Sequence, residues 1–126
     1  MSMYTDTSEF LSKMDIKQAQ GPSLLPDDVM KARHKHMIEE VNEFVFSNNM
    51  SDLNGCVDAL VDVIYVALGT ANMMGLTEDE FAECWRRVHE ANMKKESIED
   101  IDGHKLDLVK PKGWLSPDFA DVLGAE

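Results

Sequence analysis

The sequence predicts a small all-α protein in which four to five helices form a bundle. Its 126 residues, 44% of them hydrophobic, fit one compact domain with its own core. Apolar residues recur at three- and four-residue spacing along most of the chain, which is the period of an amphipathic helix. Capping residues and helix breakers separate these stretches. We therefore expect a single domain over residues 1–126 with an irregular, basic C-terminal segment.

The first two helices are predicted from caps and apolar spacing. A short helix from about Thr7 to Met14 has Thr7 or Ser8 available as its N-cap. The second helix begins at Pro26, because proline and the two aspartates that follow it suit a first helical turn, and it runs to about Phe46. Its apolar stripe consists of Val29, Met30, Met37, Val41, Phe44 and Val45.

A long third helix and a fourth helix follow. The third is expected from about Asp52 to Met74, with Gly75 as its C-cap. It is apolar on most sides, which is typical of the central helix of a bundle or of a subunit contact. Residues 77–80, Thr-Glu-Asp-Glu, predict a capping box for a fourth helix that reaches about Lys95.

The C-terminal segment is predicted to be irregular. Asp102 and Gly103 mark a tight turn, which indicates a small hairpin. Residues 110–114 are expected to form an extended loop, and Ser116 is the expected cap of a last short helix.

Basic residues gather in this same part of a chain whose formal net charge is −12. Together with Asn92 and Trp114, they predict a wall that grips phosphate and faces a base; lysines on a solvent-exposed tail are the alternative. The overall charge excludes a general nucleic-acid-binding surface, but a phosphorylated ligand stays compatible if metal ions supply positive charge. Five of the 12 Lys and Arg residues lie within 19 positions: Lys94, Lys95, Lys105, Lys110 and Lys112.

We expect a cytoplasmic protein without membrane association. The sequence shows no signal peptide, no apolar stretch long enough to span a bilayer and no lipidation motif. Cys56 and Cys84 fall in helix-patterned segments and resemble small buried hydrophobic residues, which favours a reducing compartment. Histidines and cysteines have no zinc-ligand spacing, since His34 and His36 point to different faces of a helix.

Two acidic clusters inside apolar, helix-patterned stretches predict a metal site between neighbouring helices. Asp58 and Asp62 share one helix face within a run that reads as buried core and contains no basic residue. Buried carboxylates need a counter-charge. Glu39, Glu40 and Glu43 aim several more carboxylates at a single site. Oxygen ligands in this number suit Mg²⁺ or Mn²⁺.

These acids have three other interpretations. A solvated acidic face is the alternative for the glutamates, and it is weaker for the aspartates because their surroundings are apolar. A di-iron site would need two Glu-x-x-His motifs, and no histidine here follows a glutamate by three. A calcium loop around Asp100 and Asp102 fails, since Ile98 and Val109 would occupy its first and last ligand positions.

Four motifs, taken in order, resemble the all-α nucleoside triphosphate pyrophosphohydrolases, the MazG-like and phosphoribosyl-ATP pyrophosphohydrolase-like superfamily. The similarity spans about residues 26–123 and is closest to the short, single-domain MazG-like proteins of phages and some bacteria. The motifs are Glu39-Glu40-x-x-Glu43, Asp58-x-x-x-Asp62-Val-Ile-Tyr-Val, Val88-His89-x-x-Asn92-Met93-x-Lys95 and Lys112-Gly113-Trp114-x-x-Pro117-Asp118.

The resemblance implies cleavage of a (deoxy)nucleoside triphosphate between its α and β phosphates, with Mg²⁺ as the cofactor. Glu39 or Glu40 would also activate the attacking water. The family's second motif is often Glu-x-x-Asp, which would place an acid at Ala59, and Asp58 is the candidate replacement. The metal ligands that the resemblance implies are Glu39, Glu40, Glu43 and Asp62.

Substrate contacts and assembly are implied in the same way. Trp114 would lie near the base. Members of the superfamily are commonly dimers or tetramers, so a homodimer or homotetramer is expected. The residues implied to contact sugar or phosphates are Asn92, Lys95, Lys110 and Lys112.

Two further functions stay open. A catalytically silent helical module that binds a nucleotide or a protein would tolerate loss of the acids without chemical consequence. Phosphoribosyl-ATP hydrolysis is less favoured, because the C-terminal Lys-Gly-Trp-x-x-Pro-Asp segment belongs with the MazG-like side. Among nucleoside triphosphates, dGTP and dUTP are the candidate substrates. The expected role is control of a dNTP pool, and removal of unwanted or noncanonical nucleotides is the alternative. Either role would be carried out in the cytoplasm, which is that of the host if the chain is phage-encoded.

Overall fold

The computed structural model describes residues 2–98 and 107–124. In these ranges it contains four helices of substantial length, one short helix and a two-stranded sheet, so the all-α prediction is confirmed. Two compact units are present, Met1–Glu78 and Asp79–Glu126. The elements are α1 Met3–Lys13, α2 Asp27–Asn49, α3 Leu53–Met73, α4 Glu78–Met93, β1 Glu96–Ile98, β2 Asp107–Val109 and α5 Ala120–Leu123.

α2 and α3 form an antiparallel helical hairpin, because only residues 50–52 join them. The predicted bounds of both helices are confirmed, with α2 continuing about one turn beyond Phe46. Asp52 caps α3 by accepting a hydrogen bond from the Gly55 amide at 2.9 Å. At the turn end of the hairpin, the buried Ser47 hydroxyl lies where a side chain at Gly55 would clash.

α1 packs against α3 and begins four residues earlier than the sequence predicts. Ser2 caps it in a reciprocal pair of hydrogen bonds with Thr5. The predicted cap at Thr7 or Ser8 is therefore wrong. Thr7 is instead fully buried, and its hydroxyl donates to the Tyr4 carbonyl at 2.8 Å while accepting from the Asn72 amide at 2.7 Å.

The connection from α1 to α2 lies against the C-terminal end of α3. Ala19 donates to the Met73 carbonyl at 3.0 Å, and Ser23 donates to the Met74 carbonyl at 2.9 Å. Gly75 ends α3 in the left-handed region at φ 85°, as its C-cap role predicts. A Cβ at Gly75 would lie 2.3 Å from the Gly21 carbonyl oxygen, so the close approach requires glycine.

The apolar run of α3 is not buried within the single chain, contrary to the interpretation of that run as core. α1 and α2 cover one side of α3 and leave the rest open, so Val57 and Val61 are each 53% exposed. α3 is also long and apolar enough to cross a membrane by length and composition alone. The expectation that no stretch meets that criterion is wrong, because the apolar residues of α3 raise its mean hydropathy in spite of its two aspartates. The central helix of an oligomeric bundle meets the same criterion.

In the second unit, α4 is followed by the antiparallel pair β1–β2, with Glu96 opposite Val109. The predicted hairpin is confirmed, while its turn at Asp102 and Gly103, like Lys105, lies outside the described residues. Residues 110–114 form a turn rather than an extended loop, since Trp114 donates to the Pro111 carbonyl at 3.0 Å.

The last helix, α5, begins later than predicted. Ser116 does not cap it. The Asp118 carboxylate instead accepts a hydrogen bond from the Ala120 amide at 3.0 Å. Phe119 occupies the N-cap position without a side-chain cap, and the Asp118 carboxylate satisfies one of the free amides of the first turn.

Candidate functional site

Glu40 of α2 and Asp62 of α3 face each other across the helical hairpin. The Glu40 side chain is only 20% exposed, and Asp62 is close enough to influence its ionisation. Burial, the charge of Asp62 and the hydrogen bond between the two carboxyl groups raise the pKa of Glu40. The structure thus joins one acid from each of the two predicted clusters at a single point.

His36 is the basic group that faces this pair from α2. Its Nε2 lies 3.4 Å from Glu40 Oε1, one helical turn along the same face. It counteracts the rise in the Glu40 pKa, but burial and Asp62 outweigh it. The sequence prediction missed this contact, because His36 was considered only as a zinc ligand; its spacing of four residues from Glu40 is the signal that reveals it.

The other three predicted ligands lie apart from this contact or are more open to solvent. Glu39, Glu43 and Asp58 are all exposed. In the part of the chain that the structure describes, no group of three or more histidine, cysteine, aspartate or glutamate side chains converges in a geometry that could hold a metal. The roles of these three residues as ligands stay predictions.

The Glu40–Asp62 pair nevertheless fits a divalent cation. Two facing carboxylates repel each other when both are ionised, and a cation between them removes that repulsion. Mg²⁺ commonly takes one or two protein carboxylates and completes its shell with water and substrate phosphates. A pair of acids between two helices is therefore sufficient protein contribution for a magnesium ion that a polyphosphate helps to hold.

Arg33 occupies the same face of the hairpin, seven residues before Glu40. Its guanidinium donates from Nη2 to the Val66 carbonyl at 2.9 Å and from Nε to the Thr70 hydroxyl at 3.0 Å. Burial lowers the pKa of this guanidinium, which nevertheless stays charged. The sequence prediction did not identify it, although two helical turns separate it from Glu40.

A cavity of about 600 Å³ lies beyond Arg33 at the open end of the hairpin. Val29, four residues before Arg33, and Met73, three residues after Thr70, both line it. Residues of the α1–α2 connection complete its walls, which are mainly apolar. Its volume falls in the range that accommodates a small organic ligand.

The predicted basic wall belongs to the second unit, where Trp114 organises it. The indole Nε1 donates to the Ala91 carbonyl at 2.7 Å, which fastens the turn to α4. The ammonium groups of Lys95 and Lys110 lie 5.3 and 5.0 Å from the indole ring centre, in cation–π geometry. Within this unit, the contacts of Trp114 with α4 and the two lysines are sufficient to explain its position. Its predicted contact with a base stays a prediction.

Asn92 and Lys112 are exposed and take no part in that cluster. Neither residue makes a described hydrogen bond or ion pair through its side chain. Their predicted contacts with sugar or phosphate therefore stay predictions, as do those of Lys95 and Lys110.

Comparison with known protein families gives one match. The model of the phosphoribosyl-ATP pyrophosphohydrolase family matches residues 7–92, which is more than half of the chain. The matched range contains both acidic clusters and ends before the basic C-terminal segment. A comparison with curated proteins gives no match.

Proposed function

Because the chain belongs to the phosphoribosyl-ATP pyrophosphohydrolase family, and with it to the MazG-like all-α superfamily of nucleotide pyrophosphohydrolases, we propose that it hydrolyses a (deoxy)nucleoside triphosphate. Water attacks, the bond between the α and β phosphates breaks, and the nucleoside monophosphate and pyrophosphate leave. The observation that carries this proposal is the Glu40–Asp62 pair at the α2–α3 contact.

Glu40 and Asp62 would hold Mg²⁺, with Mn²⁺ as a substitute, and Glu39, Glu43 and Asp58 are the further candidate ligands. The cation supplies positive charge that offsets the charge on the phosphates and makes bound water more acidic. This also explains how a chain of net charge −12 binds a polyanion. Glu40 or Glu39 would also accept a proton from the attacking water, and His36, whose Nε2 lies 3.4 Å from Glu40 Oε1, would orient the Glu40 carboxylate.

The nucleoside would enter the cavity beside Val29 and Met73. This cavity continues the hairpin face that carries the acids, and its apolar walls suit the face of a base. dGTP and dUTP are the candidate substrates, and control of a dNTP pool in the cytoplasm is the proposed role.

A second copy of the chain would cover the open side of α3. The exposed apolar residues Val57, Val61 and Ile64 recur at three- and four-residue spacing and form one continuous stripe. An exposed apolar surface of this kind marks an interface. A homodimer or homotetramer is accordingly part of the proposal.

Phosphoribosyl-ATP is the second candidate substrate, and the family match favours it. It carries the same type of phosphoric anhydride and would leave phosphoribosyl-AMP and pyrophosphate. The match ends at residue 92, so the C-terminal segment lies outside the part of the chain that supports this alternative.

One experiment tests these proposals together. The purified protein is incubated with Mg²⁺ and, separately, with each common NTP and dNTP, dUTP and phosphoribosyl-ATP, and the products are identified by mass spectrometry. Monophosphate with pyrophosphate from one nucleotide is expected. Diphosphate with orthophosphate would contradict cleavage between the α and β phosphates, and absence of turnover with Mg²⁺ and Mn²⁺ alike would favour the silent binding module.

A further inference from the structure

The Arg33 guanidinium is a half-buried positive charge without a carboxylate partner among residues 2–98 and 107–124. Its described contacts are neutral oxygens, the carbonyl of Val66 and the hydroxyl of Thr70. An arginine has five N–H donors, so these two bonds leave part of the guanidinium fork unused. A desolvated charge is normally paired, and its counter-charge is missing from the described chain.

A glycine in α3 leaves space for the Arg33 guanidinium. Gly69 lies in the middle of α3, where glycine is less favourable than alanine by roughly 1 kcal/mol. A Cβ at Gly69 would lie 3.0 Å from Arg33 Nη2, so the glycine provides the space that the guanidinium fills. Its two hydrogen bonds hold the guanidinium against α3.

The position of Arg33 relates it to the acidic pair. Arg33 and Glu40 are seven residues apart on one face of α2, which separates their Cα atoms by about 10 Å along the helix. On α3, the Arg33 partner Val66 lies one turn from Asp62. A polyphosphate whose one end shares a cation with Glu40 and Asp62 can reach the guanidinium along this face.

We propose that Arg33 binds a phosphate group of the substrate, as the anionic counter-charge that residues 2–98 and 107–124 do not supply. Arginine matches phosphate oxygens bidentately, which lysine does not. The inference rests on the proposed function for the identity of the nucleotide, whereas the phosphate contact itself is testable without turnover.

The first experiment compares three variants: Arg33→Gln, Arg33→Lys and Lys35→Gln. It measures their affinity for inorganic tripolyphosphate in the presence of Mg²⁺ and their KM for whichever nucleotide is turned over. Arg33→Gln should lower the affinity for tripolyphosphate and raise KM, each about tenfold or more, which is the usual loss for a charge-assisted hydrogen bond. Arg33→Lys should give intermediate values. Lys35→Gln removes the same charge from an exposed position on α2 and should change either value less than about twofold. Mn²⁺ affinity without phosphate should be unchanged in all three.

A purely structural role for Arg33 gives a different result. Arg33→Gln would then lower the melting temperature while binding tripolyphosphate as tightly as the unmodified chain, and that outcome overturns the proposal.

A second measurement needs no folded variant. Phenylglyoxal modifies arginines of the unaltered protein, and peptide mass spectrometry reports the rate at each site. Magnesium tripolyphosphate should slow modification of Arg33 and leave the exposed Arg86 unchanged; equal rates at Arg33 with and without tripolyphosphate overturn the proposal. Protection of Arg33 in a protein that hydrolyses no nucleotide would sustain this inference while the proposed function fails.

Discussion

Glu40 of α2 and Asp62 of α3 present their carboxyl groups to each other, so a polar contact across the helical hairpin joins two acids. Such a contact is unfavourable when both groups are ionised, and burial together with the charge of Asp62 raises the pKa of Glu40. A fold optimised only for stability would place apolar or oppositely charged residues here. The contact is compatible with the proposed function, in which a cation would lie between the two carboxylates.

Replacement of Glu40 by glutamine is the most direct test of its catalytic role. Glu40→Gln should lower kcat at least roughly 100-fold, because the amide neither accepts a proton from water nor binds a cation strongly. Helical content should be retained, since an amide can donate a hydrogen bond to Asp62. Circular dichroism and a pyrophosphate-release assay measure the two quantities. Glu9→Gln, at an exposed position of α1, is the control; near-normal turnover in Glu40→Gln would remove Glu40 from the mechanism.

Divalent cations should stabilise the protein through the same pair. Mg²⁺ or Mn²⁺ at 100 times its dissociation constant stabilises a one-site protein by about 2.7 kcal/mol, which thermal unfolding detects as a higher melting temperature. Asp62→Asn should remove most of this increase. Asp58→Asn should reduce it less, because Asp58 is exposed and lies one turn away from the contact. An undiminished increase in Asp62→Asn would place the cation elsewhere.

Much of this fold was predictable from local sequence, whereas the start of α1 was not. The bounds of α2 and α3 follow from Pro26, Asp52 and Gly75, which act through neighbouring backbone groups. The start of α1 was mispredicted because Thr7 is a buried partner of Asn72, 65 positions away in the sequence, and no local pattern distinguishes that role from a cap.

The candidate site divides in the same way. The spacing of acids in the sequence identified the candidate residues but not which of them are in contact. The Glu40–Asp62 contact depends on how α2 packs against α3. Arg33 was missed because it binds the backbone carbonyl of Val66 and the hydroxyl of Thr70. Neither group is recognisable from the sequence as the partner of an arginine.

Assembly should depend on the exposed apolar stripe of α3. Ile64→Glu places a charge in the middle of that stripe, where Ile64 is 49% exposed in the single chain, and should shift the protein towards the monomer in sedimentation or light-scattering measurements. Met50→Glu, in the loop between α2 and α3, adds the same charge at a position that is 65% exposed and should leave the assembly unchanged. An unaltered molar mass in Ile64→Glu would show that this side of α3 is not the interface.

Two glycines with nearly equal dihedral angles should respond differently to alanine. Gly75 and Gly113 have φ values of 85° and 84°, so alanine strains the backbone at both, typically by about 1–3 kcal/mol. Only at Gly75 would the new methyl group also clash, at 2.3 Å from a carbonyl oxygen, whereas nothing lies within 4 Å at Gly113. Chemical denaturation should therefore show the larger loss in free energy of unfolding for Gly75→Ala. Equal losses would indicate that the contact with Gly21 relaxes freely.

Acid should weaken the attachment of α5 to α4, because Arg87 holds it by ionised contacts. Its Nη1 and Nη2 donate to the two carboxylate oxygens of Asp121 at 2.7 and 2.8 Å. These bonds lower the pKa of Asp121 to about 2, from 3.8, and those from Arg86 and Arg87 lower the pKa of Glu83 to about 2. Since both values are depressed in the folded state, the stabilisation is complete above about pH 4.5 and is lost as the pH falls towards 2.

Carboxyl NMR titration tests the attachment directly. In Arg87→Gln the pKa of Asp121 should return towards 3.8, and backbone amides of residues 120–123 should exchange with solvent faster at neutral pH, because the anchoring pair is gone. Arg86→Gln is the matched control: Arg86 neighbours Arg87 and pairs with Glu83 and Glu90, but it makes no described contact with α5. A pKa of Asp121 that stays near 2 in Arg87→Gln would show that another group holds this carboxylate ionised.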